Sequence, residues 1–280
     1  MMTMVSDRIG FMQGRLSTVV DGKIQAFPWE HWQDELRLAN EQGLSLMEWT
    51  LDHDRLEENP LMTPQGQKQI KGLCEQYGVR VPSLTGDFLM QRPFFKSWGQ
   101  EREALFGLFL KVVDACGANG IGKIIFPLVD NGRLENNEQR EILAAYLKKA
   151  GTTLAKNNVQ ICFEVDMPPQ EAGAFIKPLP EDLFAINYDI GNSAALGYDY
   201  RQELKAYGTR VMNVHVKDRP LGGTTVPLGQ GNADIGGVIR LLEKEGYKGN
   251  YILQTARSQE GRHVEVLCRY RDMVWDHMET

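Results

Sequence analysis

The chain is short of cysteine, of long apolar runs and of positive charge. Its 280 residues hold four cysteines, Cys74, Cys116, Cys162 and Cys268, spaced far apart with no CxxC pair. That spacing argues against a zinc knuckle or a thioredoxin-like redox motif, and it fits reduced thiols in a cytoplasmic protein. The stretch MMTMVSDRIGFMQGR has no apolar run of signal-peptide length. No segment approaches the ~20 apolar residues needed to span a bilayer, so no membrane partner is expected. Lysine and arginine total 31 against 37 acidic residues, a formal net charge of -6. This balance speaks against nucleic acid as a partner, because nonspecific binding there rests on phosphate neutralisation. A small anion held by a few local cations stays compatible with it. The segment IGFMQGR lacks GxGxxG, which removes the main support for a dinucleotide-binding fold. Of five histidines, His31, His53, His263 and His277 fall on expected helices or loops without a partner histidine at ligand spacing, and read as surface or packing residues.

What is present is alternation. Eight short apolar runs read as strands: Arg8–Met12, Ser45–Trp49, Arg80–Leu84, Lys123–Leu128, Gln160–Val165, Phe184–Asp189, Val211–Val216 and Tyr251–Gln254. Helical patterns separate them at Trp29–Gln42, Pro64–Tyr77, Ser97–Cys116, Asn136–Lys156, Gln170–Ile176, Tyr200–Ala206 and Ala233–Glu245, and Gly261–His277 follows the last. Gly43, Gly78, Gly120 and Gly246 stand at helix-to-strand joints, where a left-handed helix cap suits glycine. Strand followed by helix eight times over, in this length, predicts a single α/β domain over 1–280. Its fold would be a closed (β/α)8 TIM barrel with the functional site at the C-terminal ends of the strands.

A barrel strand is buried on both faces, so polar side chains in a row on one face call for a use or a partner. VMNVHVKDR places Asn213, His215 and Lys217 on one side and Met212, Val214 and Val216 on the other. QICFEVD sets Cys162, Glu164 and Asp166 apart from Ile161, Phe163 and Val165, and FAINYDIGNS sets Asn187 and Asp189 together. Glu164, Asp189 and His215 lie 25 and 26 residues apart, one β-α repeat each. Two carboxylates and an imidazole at one mouth repel and desolvate unless a cation neutralises them. A mixed oxygen and nitrogen set suits one divalent ion: Mn, Mg, Co or Zn.

IGFMQGRLS, CFEVD, YDIGN, NVHVKDR and YILQTAR, taken in order along the chain, resemble the sugar-phosphate isomerase/epimerase superfamily. This is the xylose-isomerase-like TIM-barrel group that includes ketose 3-epimerases, ribulose-phosphate epimerases and inosose dehydratases. The resemblance implies a metal-dependent isomerase or epimerase of a sugar or sugar phosphate, working through an enediolate with Glu164 as base. It implies a divalent metal held by Glu164, Asp189, His215 and Gln254. Relatives in the group are often dimers or tetramers. In the group the last of these positions is commonly Glu; here Gln254 can coordinate through its amide oxygen but cannot act as a base. A second base would then come from Glu48 or Asp87. The departure also leaves open a polyol dehydratase, which needs one base, or a barrel that binds a sugar without turning it over. Arg15, Asp87, Lys217, Arg219 and Arg257 are expected near the mouth as substrate-binding residues, with arginine suited to phosphate. Trp49 and Phe88 read as core or as stacking surfaces for a sugar. The loop Leu228–Gly229–Gln230–Gly231 reads as a close approach of backbone to substrate, and Asn232 or Asp234 as the cap of the next helix.

Overall fold

The computed structural model describes residues 7–258 and 261–279. Eight parallel strands close on themselves in sequence order: β1 (Ile9–Met12), β2 (Leu46–Thr50), β3 (Arg80–Thr85), β4 (Lys123–Leu128), β5 (Gln160–Val165), β6 (Phe184–Asp189), β7 (Val211–Val216) and β8 (Asn250–Leu253). β1 closes the barrel against β8 through the pairs Ile9–Tyr251, Gly10–Ile252 and Phe11–Leu253. Strands β4 to β7 begin and end at the expected residues, and the other four shift by one residue at one end or both. The expected TIM barrel is therefore the observed one.

Local chemistry sets the helix ends. Pro64 starts Pro64–Tyr77 behind Thr63, whose hydroxyl accepts from Gly66 N at 3.1 Å, and Gly78 ends that helix at φ 64°. Asp234, rather than Asn232, caps Ile235–Lys244 by accepting from Gly237 N at 2.9 Å. Ser97 stands one residue outside the cap of Gly99–Ala118, which is Trp98. Two short helices escape the sequence pattern, Asp87–Gln91 after β3 and Ile190–Leu196 after β6. Neither reaches two full turns, so neither builds a readable periodicity. Among the described residues, no helix is long and apolar enough to cross a membrane.

The faces of the strands divide the core in two. Phe11, Trp49, Phe126, Phe163 and Tyr251 are fully buried in the layer between strands and helices. Trp49 packs on Phe27 and Trp32 there and donates from its indole to Asn59, and Phe88 is also buried, so both are core. Inside the barrel, Ile125, Cys162 and Ala185 form a separate small apolar plug. Above it, the inward positions of β2, β3, β5, β6 and β7 turn polar: Glu48, Ser83, Thr85, Glu164, Asn187, Asp189, Asn213 and His215, all buried. That change from apolar floor to polar mouth is what positions the site.

Candidate metal centre at the barrel mouth

Period-two alternation points Glu164, Asp189 and His215 from three adjacent strands into one space. One ligand-capable atom of each lies within 4.8 Å of the others. His215 Nδ1 is 3.1 Å from Glu164 Oε2 and 4.0 Å from Asp189 Oδ2. Asp189 Oδ1 is taken by Asn192 N at 2.8 Å, the cap of the short helix after β6, and this turns Oδ2 toward the ring. Glu164 is fixed by two carboxamides, Asn192 Nδ2 to Oε1 at 2.7 Å and Asn187 Nδ2 to Oε2 at 2.9 Å. Gln254, just past β8, joins through Lys217: the ammonium donates to Asp189 Oδ2 at 3.1 Å and to Gln254 Oε1 at 3.2 Å.

Glu48, offered by the sequence as a base, stands deeper in the barrel than the other three. It lies below the imidazole, fully buried, and accepts from four donors: Ser83 Oγ (2.7 Å) and Asn213 Nδ2 (3.1 Å) on Oε2, and Thr85 Oγ1 (2.5 Å) and His215 Nε2 (2.7 Å) on Oε1. Its Oε1 faces Nε2 of the ring, which leaves Nδ1 toward Glu164 and Asp189. Burial opposes its charge, but His215 outweighs that and holds its pKa below the usual carboxylate value.

The donor set fits a divalent cation. Burial alone would keep the His215 ring neutral, yet Glu48 and Glu164 push its pKa up to about 10. Nδ1 faces Glu164 Oε2 and Asn187 Nδ2, each at 3.1 Å. A divalent ion among these three side chains would supply the positive charge that the two carboxylates call for.

The residues expected at the rim divide by occupation. Arg15 is buried and spends its guanidinium on Thr255 O (2.9 Å), Ile24 O (3.1 Å) and Gln25 Oε1 (3.5 Å), tying the β1 loop to the exit of β8. Burial first, then the neighbouring Arg257, lowers its pKa to about 9. Arg219 donates to Gly223 O and, at 2.7 Å, to Asn192 Oδ1, so it steadies the amide that holds Glu164. Arg257 reaches Ser17 O across the mouth. Asp87 is buried and accepts from Gln25 at 2.6 Å; burial, and then repulsion from Asp52, raises its pKa to about 7. Asp218 makes no bridge to its basic neighbours. It is fully buried and collects the amides of Gly229, Gly231 and Ala233. A Cβ on Gly231 would collide with that carboxylate, so the glycine answers to Asp218.

Asn187 shares the face of Asp189, as the alternation of FAINYDIGNS places it, and its hold on Glu164 is what the sequence did not tell. Asn192 lies three residues beyond Asp189, and only the unforeseen short helix brings it back over Glu164. Gln25 sits in a loop with no periodic signal.

A family model described as xylose isomerase-like TIM barrel matches residues 36–270. The L-ribulose-5-phosphate 3-epimerase UlaE of Escherichia coli (strain SMS-3-5 / SECEC) is 28% identical over 255 residues, covering 88% of this chain and 89% of the relative. Epimerases belong to the isomerase class, and the isomerase reading of the sequence agrees with this relative. Two solved structures share the fold. The IOLI protein with a bound zinc atom has a TM-score of 0.74 at 15% identity, covering 97% and 98% of the two chains. A xylose isomerase-like TIM barrel protein from Mycobacterium smegmatis in complex with magnesium has a TM-score of 0.69 at 16% identity, covering 96% of each. With a model of the family matching most of its length and the barrel it describes observed, the chain belongs to the xylose isomerase-like TIM barrel family.

Proposed function

We propose that this chain is a divalent-metal-dependent epimerase of a ketose or ketose phosphate, with Glu164 as a base. The observation that carries the reading is the convergence of Glu164, Asp189 and His215 at the mouth of a barrel whose 28%-identical relative is a sugar-phosphate epimerase. Glu164, Asp189 and His215 would hold the ion, with Gln254 offering a neutral oxygen. A bound Mn²⁺ or similar ion supplies Lewis-acid polarisation of the substrate's carbonyl and neighbouring hydroxyl, which acidifies the C–H between them.

The chain's own groups do the rest. Asn187 and Asn192 grip the Glu164 carboxylate and fix its orientation toward that C–H. Lys217, between Asp189 and Gln254, stands where it can meet a substrate hydroxyl. A recess of about 670 Å³ beside the mouth is lined by Lys23, Arg257, Arg262 and Arg269 and suits a phosphate. The four cysteines are free thiols, in keeping with a cytoplasmic setting.

The test is exchange. Protein reloaded with Mn²⁺ is incubated in deuterated water with L-ribulose 5-phosphate, and C3 is followed by NMR. Deuterium enters C3 and a second epimer appears; stripping the metal suppresses both. Intact binding with no exchange would contradict the reading, and loss of water from the product would point to dehydration instead.

A further inference from the structure

Gln254 leaves this site one proton-transfer group short for an epimerase, and Glu48 is sealed beneath His215. Resting on the function proposed above, we infer that Asp87 is the second proton-transfer group and that Gln25 holds it toward the substrate.

The geometry is a chain of hydrogen bonds across the mouth. Lys217 Nζ donates to Asp189 Oδ2 and to Gln254 Oε1. With its oxygen so engaged, Gln254 donates from Nε2 to Gln25 Oε1 at 3.1 Å. That acceptance orients the Gln25 amide, whose Nε2 donates to Asp87 Oδ2 at 2.6 Å. A run of directed donors thus starts at the metal-binding cluster and ends on a carboxylate in the helix after β3. Among the described residues, Asp87 Oδ1 makes no hydrogen bond and stays available. Glu164 is held from the β6 side by Asn187 and Asn192, and Asp87 from the β1 loop by Gln25. The two carboxyl groups are thus held from different sides of the mouth, and inversion at one carbon needs proton-transfer groups on opposite sides. They also sense each other electrostatically: burial, then Asp52 and more weakly Glu164, raises the Asp87 pKa to about 7. That is the range in which a group can both give and take a proton.

The proton balance closes. Glu164 takes the proton from the carbon beside the carbonyl, and the C–H electron pair becomes the C=C of an enediolate. Protonated Asp87 delivers a proton to the opposite face of that carbon as the C=O reforms. Glu164 ends protonated and Asp87 ionised, and exchange with water resets both. The reverse reaction swaps the roles. Gln254 serves here to position Gln25, with no part in proton transfer.

The test uses the metal-loaded protein with L-ribulose 5-phosphate and, separately, its 3-epimer in deuterated water, comparing wild type, Asp87→Asn, Asp87→Glu and Glu164→Gln. Asp87→Asn is expected to lose interconversion by ~10²–10⁴-fold, the usual weight of an acid–base group. It still exchanges the C3 proton of the one epimer that Glu164 serves. Glu164→Gln shows the mirror pattern, exchanging only the other epimer, and Asp87→Glu recovers part of the interconversion. Interconversion by Asp87→Asn within about 3-fold of wild type overturns the inference, because a lost acid–base group cannot cost so little. Loss of exchange from both epimers together, with metal content and melting intact, also overturns it, since Asp87 would then only shape the site. If the wild type exchanges neither epimer, the proposed function falls and this inference with it; a failure of Asp87→Asn alone, in an active wild type, leaves that function standing.

Discussion

Glu48→Ala is expected to cost about 3–5 kcal/mol of folding stability, the toll of leaving a buried charge without its partner. It is also expected to abolish metal binding, although Glu48 has no exposed surface. All four of its contacts come from donors: two hydroxyls, a carboxamide and the His215 ring. Removing the carboxylate strands all four inside the barrel. Glu48→Gln separates the two consequences. The amide keeps the shape but puts an N–H where the carboxylate accepted, so one hydroxyl must turn to accept from it or a bond is lost. It should fold, lose a smaller share of stability and bind metal about 10–100-fold more weakly, as do altered partners of metal-binding histidines elsewhere. Denaturant titration checks the first effect and metal titration the second. Equal stability of Glu48→Ala and wild type would remove Glu48 from the account.

Glu164→Gln is expected to reduce epimerisation by about 10³-fold or more, within the range for a proton-transfer group, while leaving the melting temperature close to wild type. The difference from Glu48 lies in the partners. Glu164 accepts from the amides of Asn187 and Asn192, and a glutamine oxygen still satisfies one of them at the open end of the barrel, where water reaches the other. Turnover measured beside thermal melting checks this. A variant that melts normally and turns over at the wild-type rate would dismiss Glu164 as base.

The parts of the molecule legible in the sequence are those governed by simple periods. β5 to β7 stand where apolar and polar residues alternate, and β4 is a continuous apolar run after Lys123. The same alternation, repeated at one β-α unit, brought Glu164, Asp189 and His215 to one face before any coordinates. Depth within the barrel is another matter. Glu48 and His215 sit on opposing staves, and which of them lies above the other follows from strand stagger, a property of the closed sheet. That Arg15 and Arg219 stand near the mouth was legible; what they hold there was not. Their carbonyl and amide partners lie up to 240 positions away and leave no local mark. Gln25 belongs to a loop whose path is set by what it covers. The two short helices after β3 and β6 were invisible for want of turns, and the second carries Asn192 into the site.

The claim beneath all of this is that three strands deliver their side chains to a single ion. Crystals grown with Mn²⁺ and measured at its absorption edge test it directly. One anomalous peak is expected, with a Glu164 oxygen, Asp189 Oδ2 and His215 Nδ1 each at about 2.0–2.3 Å, the usual range for hard divalent ions and imidazole nitrogen. A protein that epimerises while its manganese lies elsewhere, with no peak among those three side chains, would contradict it.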